Sequence, residues 1–128
     1  MSITAEERKV LLKSQQGELD AVKMYNALAK VVKEPAEAET FRQLAAEEGH
    51  HAAVFKAMTN EVLKPKNTKA IVIPLLYRVI GKKTLYPFIA RKEYDAAKKY
   101  EPVAARFPEV EAVKNDEQRH GDTVLALL

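Results

Sequence analysis

The chain has 128 residues, 47% of them hydrophobic, and carries 21 basic and 18 acidic side chains for a formal net charge of +3. That length and apolar content suit one domain, residues 1–128, with a core of its own, and exclude a disordered chain. Cysteine is absent, which rules out disulfides, thiolate metal sites and cysteine nucleophiles.

The opening segment "MSITAEERKV" is charged and has no apolar signal region, so a cytoplasmic protein is expected. Thr4 followed by Glu7 fits a capping box and predicts a first helix from about Ala5 to Lys33. Pro35 suits the first turn of a second helix, where its missing N–H costs nothing. That helix is expected to run to about Leu63, stopped by Pro65, with "PKNTK" as a loop. The stretch "AIVIPLLYRVIG" is apolar, interrupted by Pro74 and too short to span a bilayer. It reads as a packed connection, or as a short helix within one. A third helix is predicted from about Thr84 to Arg106, with Pro102 kinking or loosening its last turns. Pro108 opens a fourth helix reaching almost to Leu128. No segment alternates with period two. The fold class is therefore all-α, with four main helices in two halves, 4–63 and 84–128, and a connection over 64–83.

That connection holds the one concentration of basic residues: Lys64, Lys66, Lys69, Arg78, Lys82 and Lys83, with no acid between them. No nucleic-acid-binding module accompanies it, so it reads as a solvated connection and no nucleic acid is expected as a partner.

One phrase occurs twice. "ELDAVKMY" (18–25) and "EYDAAKKY" (93–100) both fit E-x-D-A-x-K-x-Y. Helical spacing puts Glu18 on an apolar face with Leu11, Val22, Tyr25 and Ala29, and Glu93 on one with Tyr86, Ile89, Ala97 and Tyr100. The second helix places Glu48 and His51 with Phe41, Leu44 and Phe55. The fourth places Glu117 and His120 with Val110, Val113 and Val124. The segment "EEGHH" also offers Glu47 and His50, but these share a face with Thr40 and Gln43 and read as solvent-facing. Aligning "DEQRH" on "EEGHH" matches Glu117 with Glu48 and His120 with His51. Four carboxylates and two imidazoles thus interrupt four core faces near mid-helix. Buried charges persist when paired or bound to a metal, and no basic residue shares these faces. One or two divalent cations would answer them, with iron or manganese favoured over zinc by the oxygen-rich set. Tyr25 and Tyr100 are either core aromatics or donors to a ligand carboxylate. Asp20 and Asp95 fall off these faces and read as surface or inter-helix charges. His50 reads as solvated.

Together, "GELDAVKMY", "EEGHHAAVF", "EYDAAKKY" and "DEQRH" resemble the motifs of the ferritin-like di-iron carboxylate superfamily, and within it the rubrerythrin-like branch. The resemblance covers nearly the whole chain outside 63–83. It implies a ferritin-like four-helix bundle with a long crossover connection between the second and third helices. It also implies two iron ions held by Glu18, Glu48, His51, Glu93, Glu117 and His120, with Glu48 and Glu117 bridging and Glu18 and Glu93 terminal. Asp116 matches an acid that in such relatives orients a ligand histidine. The implied function is oxidation of Fe(II) by dioxygen or hydrogen peroxide, of ferroxidase or peroxide-scavenging type. The alternatives are iron handling without turnover, and hydroxylation of an apolar quinone-like substrate with the apolar, basic connection at a membrane surface. The chain departs from the peroxidase pattern at Ala96, where a second glutamate is usual one turn after the third-helix glutamate. No cysteine is present to build the usual rubredoxin-like electron donor, so a separate electron donor protein is expected. A homodimer is expected as well.

Overall fold

A computed structural model describes residues 2–128. They form five helices: α1 (Ala5–Val31), α2 (Pro35–Thr59), α3 (Thr68–Ile80), α4 (Lys82–Ala104) and α5 (Pro108–Leu125). No strand occurs among the described residues, and the all-α expectation holds. No helix there is long and apolar enough to cross a membrane.

The capping box at Thr4 forms. The Glu7 N–H donates to Thr4 Oγ1 at 3.1 Å, and the Thr4 N–H donates to Glu7 Oε1 at 2.9 Å. Two orphan donors at the start of α1 are thereby satisfied. Arg106, just past α4, donates to the same Glu7 oxygen at 2.5 Å and ties the two helix ends together. Pro35 occupies the first turn of α2, as expected.

The helix ends differ from the sequence reading in places. α2 stops at Thr59 rather than near Leu63, because Asn60 takes a left-handed conformation (φ 56°) and caps it. The stop thus precedes Pro65. α1 ends two residues early, at Val31, and α5 ends at Leu125. α4 starts at Lys82, where Gly81 (φ 78°) separates it from α3. Pro102 lies within the last turn of α4. The following Ala105 N–H to Glu101 carbonyl bond is long, at 3.4 Å, which fits a loosened turn.

The connection over 64–83 contains a full helix. α3 packs along α1, burying Ile73 and placing Leu76 and Tyr77 against the core. The turn before it is strapped to α1. Gln15 donates to the Glu61 carbonyl (2.9 Å), Gln16 to the Lys64 carbonyl (2.8 Å), and the Lys66 N–H to Asp20 (2.7 Å). The outer side of α3 leaves Ile71, Leu75 and Val79 exposed.

α1 pairs extensively with α2, and α4 with α5. In the second pair the helices meet closely at Gly121, where a Cβ would lie 2.5 Å from the Tyr94 ring. Only glycine permits that approach. The buried residues fall into two apolar clusters. One gathers Tyr25, Leu28, Phe41, Leu44, Ile73, Tyr86 and Ile89. The other gathers Leu11, Phe55, Tyr100, Val103, Phe107, Val110 and Val113. Between them along the helices lie Glu18, Glu48, His51, Glu93, Glu117 and His120, all buried.

Candidate metal centre

The periodicity that brings Glu18 and Tyr25 to one face of α1, and Glu93 and Tyr100 to one face of α4, turns those faces toward each other. Tyr25 donates to Glu93 Oε1 at 2.5 Å, and Tyr100 donates to Glu18 Oε1 at 2.7 Å. Each tyrosine thus holds the glutamate of the other copy of the repeated phrase. Pairing 18 with 100 and 25 with 93 requires α1 and α4 to run antiparallel here. Both hydroxyls are pushed far above the ordinary tyrosine range, first by burial and then by the neighbouring carboxylates. They remain protonated donors.

α2 and α5 supply the other side. His51 Nδ1 lies 3.1 Å from Glu48 Oε1, 3.1 Å from Glu117 Oε1 and 3.5 Å from Glu18 Oε2. His120 Nδ1 lies 3.2 Å from Glu48 Oε1, 3.3 Å from Glu117 Oε1 and 3.5 Å from Glu93 Oε2. Both Nδ1 atoms therefore point inward, into the carboxylates. Both Nε2 atoms point outward to an acid: His51 to Asp116 at 2.8 Å, and His120 to Glu47 at 3.0 Å. Asp116 contacts a histidine as its position suggests, and the histidine is on the opposite helix.

Glu47 departs from the sequence reading. It is not simply solvent-facing: it is half-buried and receives the His120 ring. It sits at the edge of the α2 face, where a glutamate is long enough to reach across to α5. The alignment of "EEGHH" on "DEQRH" also pairs Glu47 with Asp116, and that correspondence was the available signal. Arg119 joins the two acids, bonding Glu47 and, at 3.3 Å, Asp116. His50 is exposed.

Without a metal the cluster is electrostatically crowded. Burial raises Glu48 well above the ordinary carboxylate range, reinforced by the charges of Glu18 and Glu93. Burial likewise raises Glu18, and carries Glu93 to about 7. Burial would also raise Glu117, but the close imidazoles of His120 and His51 overcome it and lower that group to about 2. Burial opposes charge on His51, yet Glu117, Glu18 and Glu48 raise it to about 12. His120 is raised in the same way, by Glu117, Glu48 and Glu93 against its burial. The metal-free layer thus retains protons that a bound cation would displace.

Four atoms in this layer have no hydrogen-bond partner: Glu18 Oε2, Glu93 Oε2, Glu117 Oε1 and His120 Nδ1. Each such buried orphan costs about 1–3 kcal/mol. Their donor atoms gather into two groups able to hold a metal ion, Glu18–Glu48–His51–Glu117 and Glu48–Glu93–Glu117–His120. Carboxylate oxygens with one imidazole nitrogen apiece suit iron or manganese. The residues present therefore fit a metal.

A layer of carboxylates and Glu-x-x-His pairs projecting inward from four helices is the arrangement of the ferritin-like di-iron carboxylate proteins. A family model described as Rubrerythrin matches residues 9–128, and the chain belongs to the rubrerythrin family. Comparisons with curated proteins and with solved structures returned no match.

Proposed function

We propose that this protein is a di-iron oxidoreductase that uses dioxygen or hydrogen peroxide. The observation that carries the reading is that the two candidate ligand groups share Glu48 and Glu117. Two cations would be held there by Glu18, Glu48, His51, Glu93, Glu117 and His120, with Glu48 and Glu117 available to both. Glu18 with His51 would complete one position, and Glu93 with His120 the other. When bound, a ferrous pair supplies two electrons and Lewis acidity at one place, which matches two-electron reduction of peroxide or dioxygen.

The chain's own contribution is orientation. Asp116 and Glu47 hold the Nε2–H of each histidine and leave Nδ1 as the inward lone pair once its proton is displaced. Tyr100 and Tyr25 each occupy one oxygen of Glu18 and Glu93, leaving the other oxygen inward. The apolar clusters above and below flank the layer along the helices. Peroxide taking two electrons and two protons breaks its O–O bond and leaves as two waters. The electrons are then restored by an electron donor, taken here as a separate protein, unless ferrous iron is itself the substrate. This reading takes the protein to be a cytoplasmic homodimer, with manganese as the alternative metal.

Stopped-flow spectra of the ferrous protein mixed with dioxygen or with peroxide test the reading. Oxidation faster than that of free Fe(II) at equal concentration is expected with at least one oxidant. Iron binding with no acceleration would reassign the protein to iron handling. Ala96, one turn beyond Glu93, supplies no additional carboxylate, so no large preference for peroxide is expected. Ala96→Glu should raise the rate with peroxide relative to dioxygen.

A further inference from the structure

A cavity of about 780 Å³ opens between α1, α3 and α4. Its inner end reaches Glu18, Glu48, Glu93 and Glu117, and Tyr25 and Tyr100 line it there. Its walls are apolar, formed by Met24, Val72, Ile73, Leu76, Phe88 and Ile89. Dioxygen and peroxide need no such volume. It lies within the range of pockets that enclose organic ligands, roughly 300–1,000 Å³.

Two further features describe the occupant. Lys13, Lys69, Lys92 and Lys99 also line the cavity, against the single outer acid Asp95. No ion pair involves any of the four among the described residues. Lys92 instead lies over the Phe88 ring, 5.4 Å from its centre. The second feature is Gly17, in the middle of α1 and on the cavity wall. A Cβ there would meet nothing within 4 Å. Glycine weakens a helix interior, and nothing within the chain requires it at this position. Its absent side chain widens the cavity next to Glu18.

We propose that this cavity binds an elongated apolar molecule ending in an anionic head group, of the long-chain carboxylic acid class. The unpaired lysines at the outer end attract an anion, so the head group lies among them. The apolar tail runs inward past Gly17 and ends over the carboxylate layer. Binding is a property of the cavity and does not rest on the redox reading.

The test is calorimetric titration of the full chain, metal-free and iron-loaded, with laurate below its micellar concentration. Dodecyltrimethylammonium and acetate serve as controls. Laurate should bind one per chain, the cationic analogue at least tenfold more weakly, and acetate not measurably. Lys92→Glu with Lys99→Glu should weaken laurate by about tenfold, or about 1.4 kcal/mol. Gly17→Leu should abolish binding while leaving the melting temperature unchanged or higher. Val72→Trp, at an exposed wall position, should weaken binding without affecting folding. Equal affinity for laurate and its cationic analogue would overturn the proposal, as would undiminished binding by both Gly17→Leu and Val72→Trp. Absence of laurate binding in a chain that sediments as a dimer, with Val72→Trp dissociating it, would assign the cavity to a second copy and also overturn it.

Discussion

The α1–α2 pair and the α4–α5 pair present nearly the same groups to the centre of the molecule but support them differently. Glu18 corresponds to Glu93, Tyr25 to Tyr100, Glu48 to Glu117, His51 to His120 and Glu47 to Asp116. Four of the supporting contacts cross between the pairs: Tyr25 to Glu93, Tyr100 to Glu18, His51 to Asp116, His120 to Glu47. Each half thus leans on the other to hold its inner carboxylates and imidazoles. Outside this layer the likeness fails. Glu48 follows Glu18 by 30 residues, whereas Glu117 follows Glu93 by 24. α3 lies mainly along α1 and touches α4 much less. Arg119 stands where the first half has His50, and it alone grips the two outer acids. The comparison teaches that the two halves match where their groups meet in one buried layer, while each hairpin packs in its own way outside it.

The largest effects should come from residues common to both ligand groups. Glu48→Ala or Glu117→Ala should reduce bound iron from about two per chain to nearly none. Glu18→Ala or Glu93→Ala should leave about one. Elemental analysis of iron-loaded protein distinguishes these outcomes. If Glu18→Ala empties the site as fully as Glu48→Ala does, the bridging assignment is wrong.

Next in size are the acids behind the histidines. Asp116→Asn and Glu47→Gln should each lower metal affinity by about 10–100-fold, measured by competition with a chelator. The two should be similar if the halves are equivalent at this level. A large effect from Asp116→Asn alone would show that the Glu47 contact is incidental.

The sequence showed the inner layer and, through the family resemblance, Asp116 of the outer one, but not Glu47. Glu18, Glu48, Glu93, Glu117, His51 and His120 each break an apolar face at helical spacing, and a buried charge on such a face is conspicuous. Glu47 lies at a face edge beside Thr40 and Gln43, where glutamate is ordinarily a solvated residue. Only its reach to a histidine on another helix gives it a role, and its alignment with Asp116 was the one signal of that reach. The end of α2 was obscured in a similar way. Asn60 ends the helix through a backbone conformation, ahead of the more visible Pro65. α3 was ambiguous because Pro74 interrupts an apolar run with no polar face to reveal its period. Its docking on α1 resolves what periodicity could not.

Acidity should weaken metal binding, and the sign follows from the protons held by the metal-free layer. Burial raises Glu93 from 4.5 to about 7, so the metal-free fold loses stability as pH rises through that window. His51 is raised from 6.5 to about 12, so its charged form contributes stability in full below 6.5, and that contribution is lost as pH rises through about 12. A cation requires both groups deprotonated. Iron affinity should therefore rise with pH by up to about tenfold per unit for each proton released. Titration in two buffers of different ionisation enthalpy would count those protons. Binding without proton release would contradict the charged state described for the metal-free layer.

The smallest expected effect sharpens the comparison most, because it concerns the one outer position where the halves differ in kind. Arg119 bridges Glu47 and Asp116 but is about half exposed, with 52% of its side chain accessible. Exposed ion pairs contribute only about 0.2–1 kcal/mol. Arg119→Ala should therefore lower metal affinity by no more than about two- to fivefold, since each acid keeps its histidine N–H. Arg119→Lys should recover only part of that loss, because an ammonium is a point charge and cannot fork between two carboxylates. His50, the corresponding residue in the first half, is exposed, and His50→Ala should leave affinity unchanged. The same substitution at His51 should remove an inward ligand and lower both iron content and oxidation rate. Chelator competition on the four variants ranks them in one experiment. If Arg119→Ala costs as much as Asp116→Asn, the arginine organises both acids and the outer layer acts as one unit. If His50→Ala costs as much as His51→Ala, the helical phase assigned to α2 is wrong.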